Sequence, residues 1–478
     1  MSNERKLMHI VMFPWLAFGH MIPFLNLSKL IARKGHRISF ISTPRNIDRL
    51  PPPPPALSHL LNYVKIPLPG HDVVPDFPIN AEATSDVPYD KVVYLKLAYD
   101  ALQQPLTQFL RQTSPDWIFF DFASYWLPSV ASELGIPSAY FSIFTASVLG
   151  FSGSVQVLKG DDSEKQPRKT LEDYTVKPEW VPFETSVCFK IYEITKIADS
   201  VITSPENTVS DIFRMGSSIQ GCDIVAVRSC WEFEPEWLKL LEQDLYRKPV
   251  IPVGQLPTVE EEEEAADESK NTVWRGYKEW LDKQGKGSVV YVAFGSEAKP
   301  SQSELTEIAL GLEQSGLPFF WALKLKRGDW DTETIGLPEG FVERTKDRGV
   351  ICTSWAPQLK ILSHDSVGGF LTHSGWSSVV ESIQFQRPLI MLTFLADQGL
   401  NARLLEEKKI GYPIPRDESD GSFTRDSVAD SLRMVILQEE GKIYRDKVKE
   451  MNGIFCDGGR QDFYVENLLA FLQSYSRN

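Results

Sequence analysis

An α/β protein of two doubly wound parallel-sheet domains is what this sequence predicts, on three observations. The chain has 478 residues, more than one core accommodates, since cores stop growing at about 250–300 residues. Short continuous apolar runs alternate with helical stretches, the pattern of a parallel sheet covered on both faces. The alternation lapses in an acidic stretch and starts again at Val289, which implies two such halves.

The first series opens with His9-Ile10-Val11-Met12-Phe13, read as a buried strand. Gly19-His20 lie in the loop that follows, and a helix is expected from Pro23 to Arg33, with Phe24, Leu27, Leu30 and Ile31 on one face. Strands follow at Arg37 to Ile41, Trp117 to Phe120 and Ser138 to Phe141. The prolines Pro51 to Pro55 read as a stiff connecting loop. The second series begins with strand Val289 to Phe294, closed by Gly295-Ser296, then helix Ser303 to Glu313 and strand Phe319 to Leu323. Val350 to Thr353, Val367 to Leu371 and Pro388 to Leu392 are further strands. Between the series, Glu260 to Glu264 repel one another and stay solvated, the mark of a linker. The expected division is 1–253, an acidic linker 254–271, 272–455, and a C-terminal helical stretch 456–478.

Composition narrows the function classes. Apolar residues make up 42% and charged residues 24%, as in soluble globular proteins. The formal net charge of −14 disfavours nucleic acid and anionic membrane surfaces as partners. The apolar stretch from Leu7 to Phe18 is too short to span a bilayer and carries no A-x-A-like cleavage site. Five cysteines, Cys188, Cys222, Cys230, Cys352 and Cys456, are scattered without metal-ligand spacing, which reads as free thiols in a reducing compartment. A cytoplasmic monomer without membrane insertion is expected.

The segment from Trp355 to Gln398 spans 44 residues and carries the chemistry. Trp355 offers a flat face to a nucleobase, and Gln358 donates to and accepts from a base edge. Gly375 permits a tight turn, and the helix beginning near Ser377-Ser378 presents unpaired amides and a dipole to an anion. His373 beside it supplies a donor or a positive charge. Glu381 shares a helical face with Ser377 and Ser378 and suits ribose hydroxyls. Asp397-Gln398 offers acceptors and donors to a sugar. Each residue alone has a structural reading, Ser-Ser at a helix start being an ordinary N-cap; the ordered set does not.

In the first half His20 sits near the carboxyl end of the first strand, where open α/β sheets bind ligands. An imidazole suits a general base, and a carboxylate must orient it. Asp121 ends the strand Trp117 to Phe120 at that same rim, whereas Asp116 precedes the strand and lies at the opposite end.

The segment resembles the plant secondary product glycosyltransferase box, W-A-P-Q … H-C-G-W-N-S … E … D/E-Q, of family 1 UDP-sugar-dependent glycosyltransferases. The resemblance runs from His20 to the C-terminal helix. It implies a GT-B fold, two Rossmann-like domains facing a cleft, with the last helix crossing back onto the first domain. It implies that Trp355 stacks on uracil, that Ala356 and Gln358 meet uracil or ribose, and that Glu381 binds ribose. His373 and Ser378 then bind phosphate, with Ser377 beside them, and Trp376, Asp397 and Gln398 bind the sugar. Ser296 resembles a donor-phosphate contact and Thr145 a position near the sugar's O6. Gly19 belongs to the donor-binding set. His20 is the implied general base and Asp121 its partner.

The chain departs from the family's pattern at four places: Ser374 replaces Cys, Ser377 replaces Asn, Gln386-Arg387 stands where Gly precedes the proline at Pro388, and Thr393 replaces a later proline. Gln398 resembles users of glucose; users of UDP-rhamnose keep the same pair. The loops Trp15-Leu16-Ala17-Phe18-Gly19-His20 and Ser42-Thr43-Pro44-Arg45-Asn46-Ile47 resemble the branch that extends sugars on flavonoids or terpenoids. The expected reaction is inverting transfer of glucose from UDP-glucose to a small hydroxylated acceptor, with UDP-rhamnose as the alternative donor. No metal or cofactor is expected. An oxidoreductase is disfavoured because no G-x-G-x-x-G follows either leading strand. A binding protein without turnover is disfavoured by His20 and Asp121.

Overall fold

The computed structural model describes residues 7–70, 74, 77–78, 80–160, 166–202, 208–258, 272–326, 330–331 and 335–476. Two parallel sheets form its frame. The first has seven strands: β1 His9–Phe13, β2 Arg37–Ser42, β3 Leu61–Lys65, β4 Trp117–Phe120, β5 Ser138–Ser142, β6 Ile224–Val227 and β7 Val250–Pro252, in the order β3-β2-β1-β4-β5-β6-β7. The second has six: β8 Val289–Ala293, β9 Phe319–Ala322, β10 Gly349–Cys352, β11 Val367–Thr372, β12 Leu389–Met391 and β13 Gly411–Pro413, in the order β10-β9-β8-β11-β12-β13. The strand order reverses between β1 and β4 in one sheet and between β8 and β11 in the other. A doubly wound sheet opens its ligand crevice at that reversal.

The continuous apolar runs are explained by burial on both faces. Ile10 and Met12 pack with Phe24, Leu27 and Ile31 of helix Phe18–Arg33, while Val11 and Phe13 point into the opposite layer with Tyr99 and Leu106. In β8, Val290 and Val292 face Leu305 and Ile308, while Tyr291 faces Phe370. The last helix, Gly458–Ser474, packs against helix Phe18–Arg33 and β7 and buries Val465, Leu468, Leu469 and Leu472 in the core on that face of the first sheet. Trp117 Nε1 donates to its Leu472 carbonyl at 3.2 Å. Aromatic packing joins the halves, with Phe233 5.7 Å from Trp376 and 5.0 Å from Phe455.

Some local expectations are corrected. The first helix starts at Phe18, not Pro23, so His20 stands in its first turn and not in a loop. Pro23 lies inside that helix, where its missing N–H removes the i→i−4 bond to the Gly19 carbonyl. The tight turn after β11 falls on Ser374, at φ 69°, while Gly375 has φ −62°. The acidic run Glu260 to Glu264 lies outside the described residues. Strands β3, β6, β7 and β13 add to those anticipated. No helix among the described residues is long and apolar enough to cross a membrane.

Candidate active site

The two reversal points come together as two walls of one site: Thr84 of the first half bonds to Glu297 of the second, Glu297 and Asp397 act on the His20 imidazole, and each wall is built from residues just past a strand. On the first wall, His20 follows β1 and Asp121 follows β4, its parallel neighbour. His20 Nδ1 lies 2.6 Å from Asp121 Oδ2. Asp121 is 1% exposed and is held by the Trp15 amide on Oδ2 at 3.2 Å and the Phe122 amide on Oδ1 at 2.7 Å. A carboxylate at Nδ1 makes that nitrogen the donor and leaves Nε2 with a lone pair. Burial pulls the His20 imidazole down, but the Asp121 charge and hydrogen bond, helped by Glu297 and Asp397, outweigh it and raise the pKa above 6.5. Phe122 and Phe144 stand 5.6 and 5.7 Å from the His20 ring and make its surroundings apolar. Asp116 accepts from the His9 amide at the far end of β1, well away from the cleft.

The second wall follows β8 and β11. Gly295 and Ser296 close β8 and are exposed; the Ser296 carbonyl accepts from Lys324 Nζ at 2.7 Å. His373, at the end of β11, lies between Gly295 and Gly375. A methyl group on Gly295 would come within 2.7 Å of His373 Nε2, and one on Gly375 would collide with the same nitrogen. Both glycines are needed to admit the imidazole. Burial lowers the His373 pKa to about 4, which favours the neutral imidazole. Helix Trp376–Gln384 begins here, so its first-turn amides lack partners within the helix.

Trp355 is 77% exposed, an unusual state for a tryptophan and one that leaves a ring face open. Beyond it Gln358 Nε2 donates to Glu381 Oε2 at 2.6 Å and to Ser378 Oγ at 3.3 Å, while Tyr291 Oη donates to Gln358 Oε1 at 3.2 Å. Burial raises the Glu381 pKa. Half-buried Ala356 lies between Trp355 and this cluster. At the other end, Asp397 Oδ2 accepts from Asn401 Nδ2 at 2.7 Å, and burial raises its pKa. Gln398 Oε1 accepts from the Phe394 and Leu395 amides at 2.8 and 3.0 Å, which fixes the side chain and leaves its amide nitrogen as the remaining donor.

Two expected contacts sit differently. Trp376 is 4% exposed and its Nε1 donates to Gln255 Oε1 at 3.0 Å, so the indole packs at the junction of the halves. Thr145 is fully buried; its hydroxyl accepts from the Val148 amide as the N-cap of helix Ala146–Ser152 and pairs with Ser147. Gly19, by contrast, is exposed on the first wall.

Sequence reasoning missed Arg228. It follows β6, is 2% exposed, and reaches across from the first half: Nη1 donates to Ser377 Oγ at 3.0 Å and Nε to the Gln255 carbonyl at 2.8 Å. Burial lowers its pKa to about 10, still charged at neutral pH. Only its place at the carboxyl end of an apolar run, Ile224 to Val227, would have pointed to it. Thr84 also crosses the cleft, its hydroxyl donating to Glu297. Among the described residues no cluster of three His, Cys, Asp or Glu is disposed to hold a metal ion.

Two Rossmann-like halves, each a doubly wound parallel sheet, define the GT-B class of nucleotide-sugar glycosyltransferases. Residues 247–459 match the family model described as UDP-glucoronosyl and UDP-glucosyl transferase. The chain belongs to the plant UDP-glycosyltransferase family. It is 55% identical to UDP-glycosyltransferase 91A1 of Arabidopsis thaliana, over 97% of this chain and 96% of that one. It is 40% identical to soyasaponin III rhamnosyltransferase of Glycine max, over 99% and 97%. Among solved structures, Glycyrrhiza uralensis UGT73P12, complexed with glycyrrhetinic acid 3-O-monoglucuronide, shares the fold at a TM-score of 0.78 and 23% identity, covering 98% of this chain and 96% of that one.

Proposed function

We propose that this glycosyltransferase moves a hexose, glucose in the first instance, from its UDP-sugar to a hydroxyl of a small plant metabolite or its glycoside, with inversion. The observation that carries the reading is the 2.6 Å His20–Asp121 pair on the wall opposite the helix start at Trp376. His20 Nε2 takes the proton of the acceptor hydroxyl as the oxygen attacks the anomeric carbon. The bond to the diphosphate oxygen breaks, and the electron pair leaves with UDP. Asp121 stabilises the imidazolium. First-turn amides of helix Trp376–Gln384, Ser378, Ser296 and the neutral His373 meet the charge that develops on the diphosphate. Ser377 holds Arg228 beside them, so that a fixed positive charge stands near the leaving group.

Trp355 stacks on the uracil, with Ala356 and Gln358 at its edge, and Glu381 accepts from the ribose. Asp397, the amide of Gln398, the backbone N–H of Trp376 and the exposed backbone of Gly19 surround the sugar, with Thr145 behind them. One displacement on an α-linked UDP-sugar yields a β-glycoside. No metal takes part, because the helix dipole and donors supply the positive potential a cation would. The reaction takes place in a monomer in the cytoplasm.

Use of UDP-rhamnose is the second reading. The 40% identical soyasaponin III rhamnosyltransferase favours it, and the Asp397-Gln398 pair is compatible with either donor. That relative's name also supports a glycoside as acceptor. Mass spectrometry of products from UDP-glucose and UDP-rhamnose, each with flavonoid and terpenoid aglycones and monoglycosides, tests the reading. A hexosylated product from UDP-glucose supports it; a product from UDP-rhamnose alone moves the assignment to the second reading; no product from either donor rejects both.

A further inference from the structure

Thr393 stands where the related signature carries a proline, and its hydroxyl is in use. It donates to Glu193 Oε1 at 2.7 Å, a carboxylate from the opposite half of the molecule. Arg403 Nη2 donates to the same oxygen at 3.1 Å, and the Lys190 amide donates to Oε2 at 2.9 Å. Glu193, Thr393 and Arg403 are all at most 8% exposed. The carboxylate also lies flat against Gly399, where a methyl group would collide with it. Gly399 and Arg403 belong to helix Gln398–Glu407, the element that opens with Asp397 and Gln398. The far end of that helix is tied to the first half as well: Glu407 Oε2 accepts from the Thr185 hydroxyl at 2.8 Å and the Ser186 amide at 2.9 Å.

We propose that Glu193 is a positioning residue for the donor sugar: from the first half it fixes the start of helix Gln398–Glu407 and thereby the aim of Asp397 and Gln398. A buried carboxylate with three donors and a glycine seat holds one geometry. A proline at 393 has no hydroxyl to offer it. The sugar end of the donor site is therefore complete only when the two halves are docked, whereas the uracil and ribose contacts come from the second half alone. This proposal rests on the reading of Asp397 and Gln398 as sugar contacts.

The test uses the full-length protein with Glu193→Gln, Thr393→Val and Gly399→Ala beside Gln398→Ala. The readouts are KM for the UDP-sugar turned over, the inhibition constant of UDP, and thermal melting. Thr393→Val is isosteric and keeps the fold if Glu193→Gln does not. The expected result is a KM for UDP-sugar raised roughly tenfold, the scale of one lost charge-assisted hydrogen bond, with UDP inhibition unchanged. An unchanged KM in the first three variants with a raised KM in Gln398→Ala overturns the role of Glu193 and leaves the sugar contacts standing. Equal weakening of UDP and UDP-sugar overturns it too. Wild-type KM in Gln398→Ala removes the sugar reading, and the proposal with it.

Discussion

Asp121→Asn keeps the shape of the side chain and removes its charge, which makes it a sharp probe of the first wall. The carboxylate accepts three hydrogen bonds, from His20 Nδ1, the Trp15 amide and the Phe122 amide. An asparagine has one oxygen, so its NH₂ must face one of those donors. With the oxygen toward His20 and Trp15, the tautomer survives and only the charge is lost. A charge-assisted bond contributes about 1.5–3 kcal/mol, so kcat falls about 10- to 150-fold. With the NH₂ toward His20, the ring turns to the Nε2–H tautomer and the base is lost, a drop approaching about 10⁴-fold. The pH profile carries a second signature. Asp121 raises the His20 pKa against the opposing effect of burial. The base must be deprotonated, so wild-type kcat/KM should rise through a limb above pH 6.5, and in Asp121→Asn that limb should move to lower pH. Steady-state transfer from pH 5 to 9, followed by UDP release, reads both. A variant with wild-type kcat, or a limb displaced upward, would refute the reasoning.

Three other outcomes follow from the same geometry. Trp355→Ala should weaken UDP binding about 5- to 150-fold, since base stacking contributes about 1–3 kcal/mol. Its melting temperature should hold, because the side chain is 77% exposed; calorimetry and UDP titration check both. Gly375→Ala should displace the His373 imidazole without removing any polar group, and transfer should fall about 10- to 100-fold with the acid limb unmoved in a rate profile. Dialysis against EDTA should leave turnover unchanged; activity lost and then restored by magnesium or manganese would contradict the metal-free reading.

The grouping of the second wall was legible because its residues lie in one segment, and the structure brings Gln358, Ser378 and Glu381 of that segment into hydrogen-bond contact. Trp355, Gln358, His373, Ser378 and Glu381 need only the strand-turn-helix around them. His20 and Asp121 were legible for a related reason, since each follows an apolar strand and the two strands neighbour one another. What escaped reading was what crosses between the halves. Arg228, Glu193 and Thr84 meet partners 149, 200 and 213 positions away, and no local pattern marks such pairs. The helix start at Phe18 was obscured by Pro23, which reads as a first-turn residue yet sits a turn deeper. The left-handed turn on Ser374 was assigned to Gly375 because glycine is the usual bearer of positive φ. Gly375 is required for a different reason, the close approach of His373. The short strand Gly411–Pro413 carries no periodic signal at all.

The most direct measurement is paired: calorimetric UDP titration and acceptor-dependent UDP release on His20→Ala. UDP affinity close to wild type with transfer abolished is the expected result, because the imidazole belongs to one wall and the proposed nucleotide site to the other. Lost UDP affinity together with wild-type turnover would contradict the account.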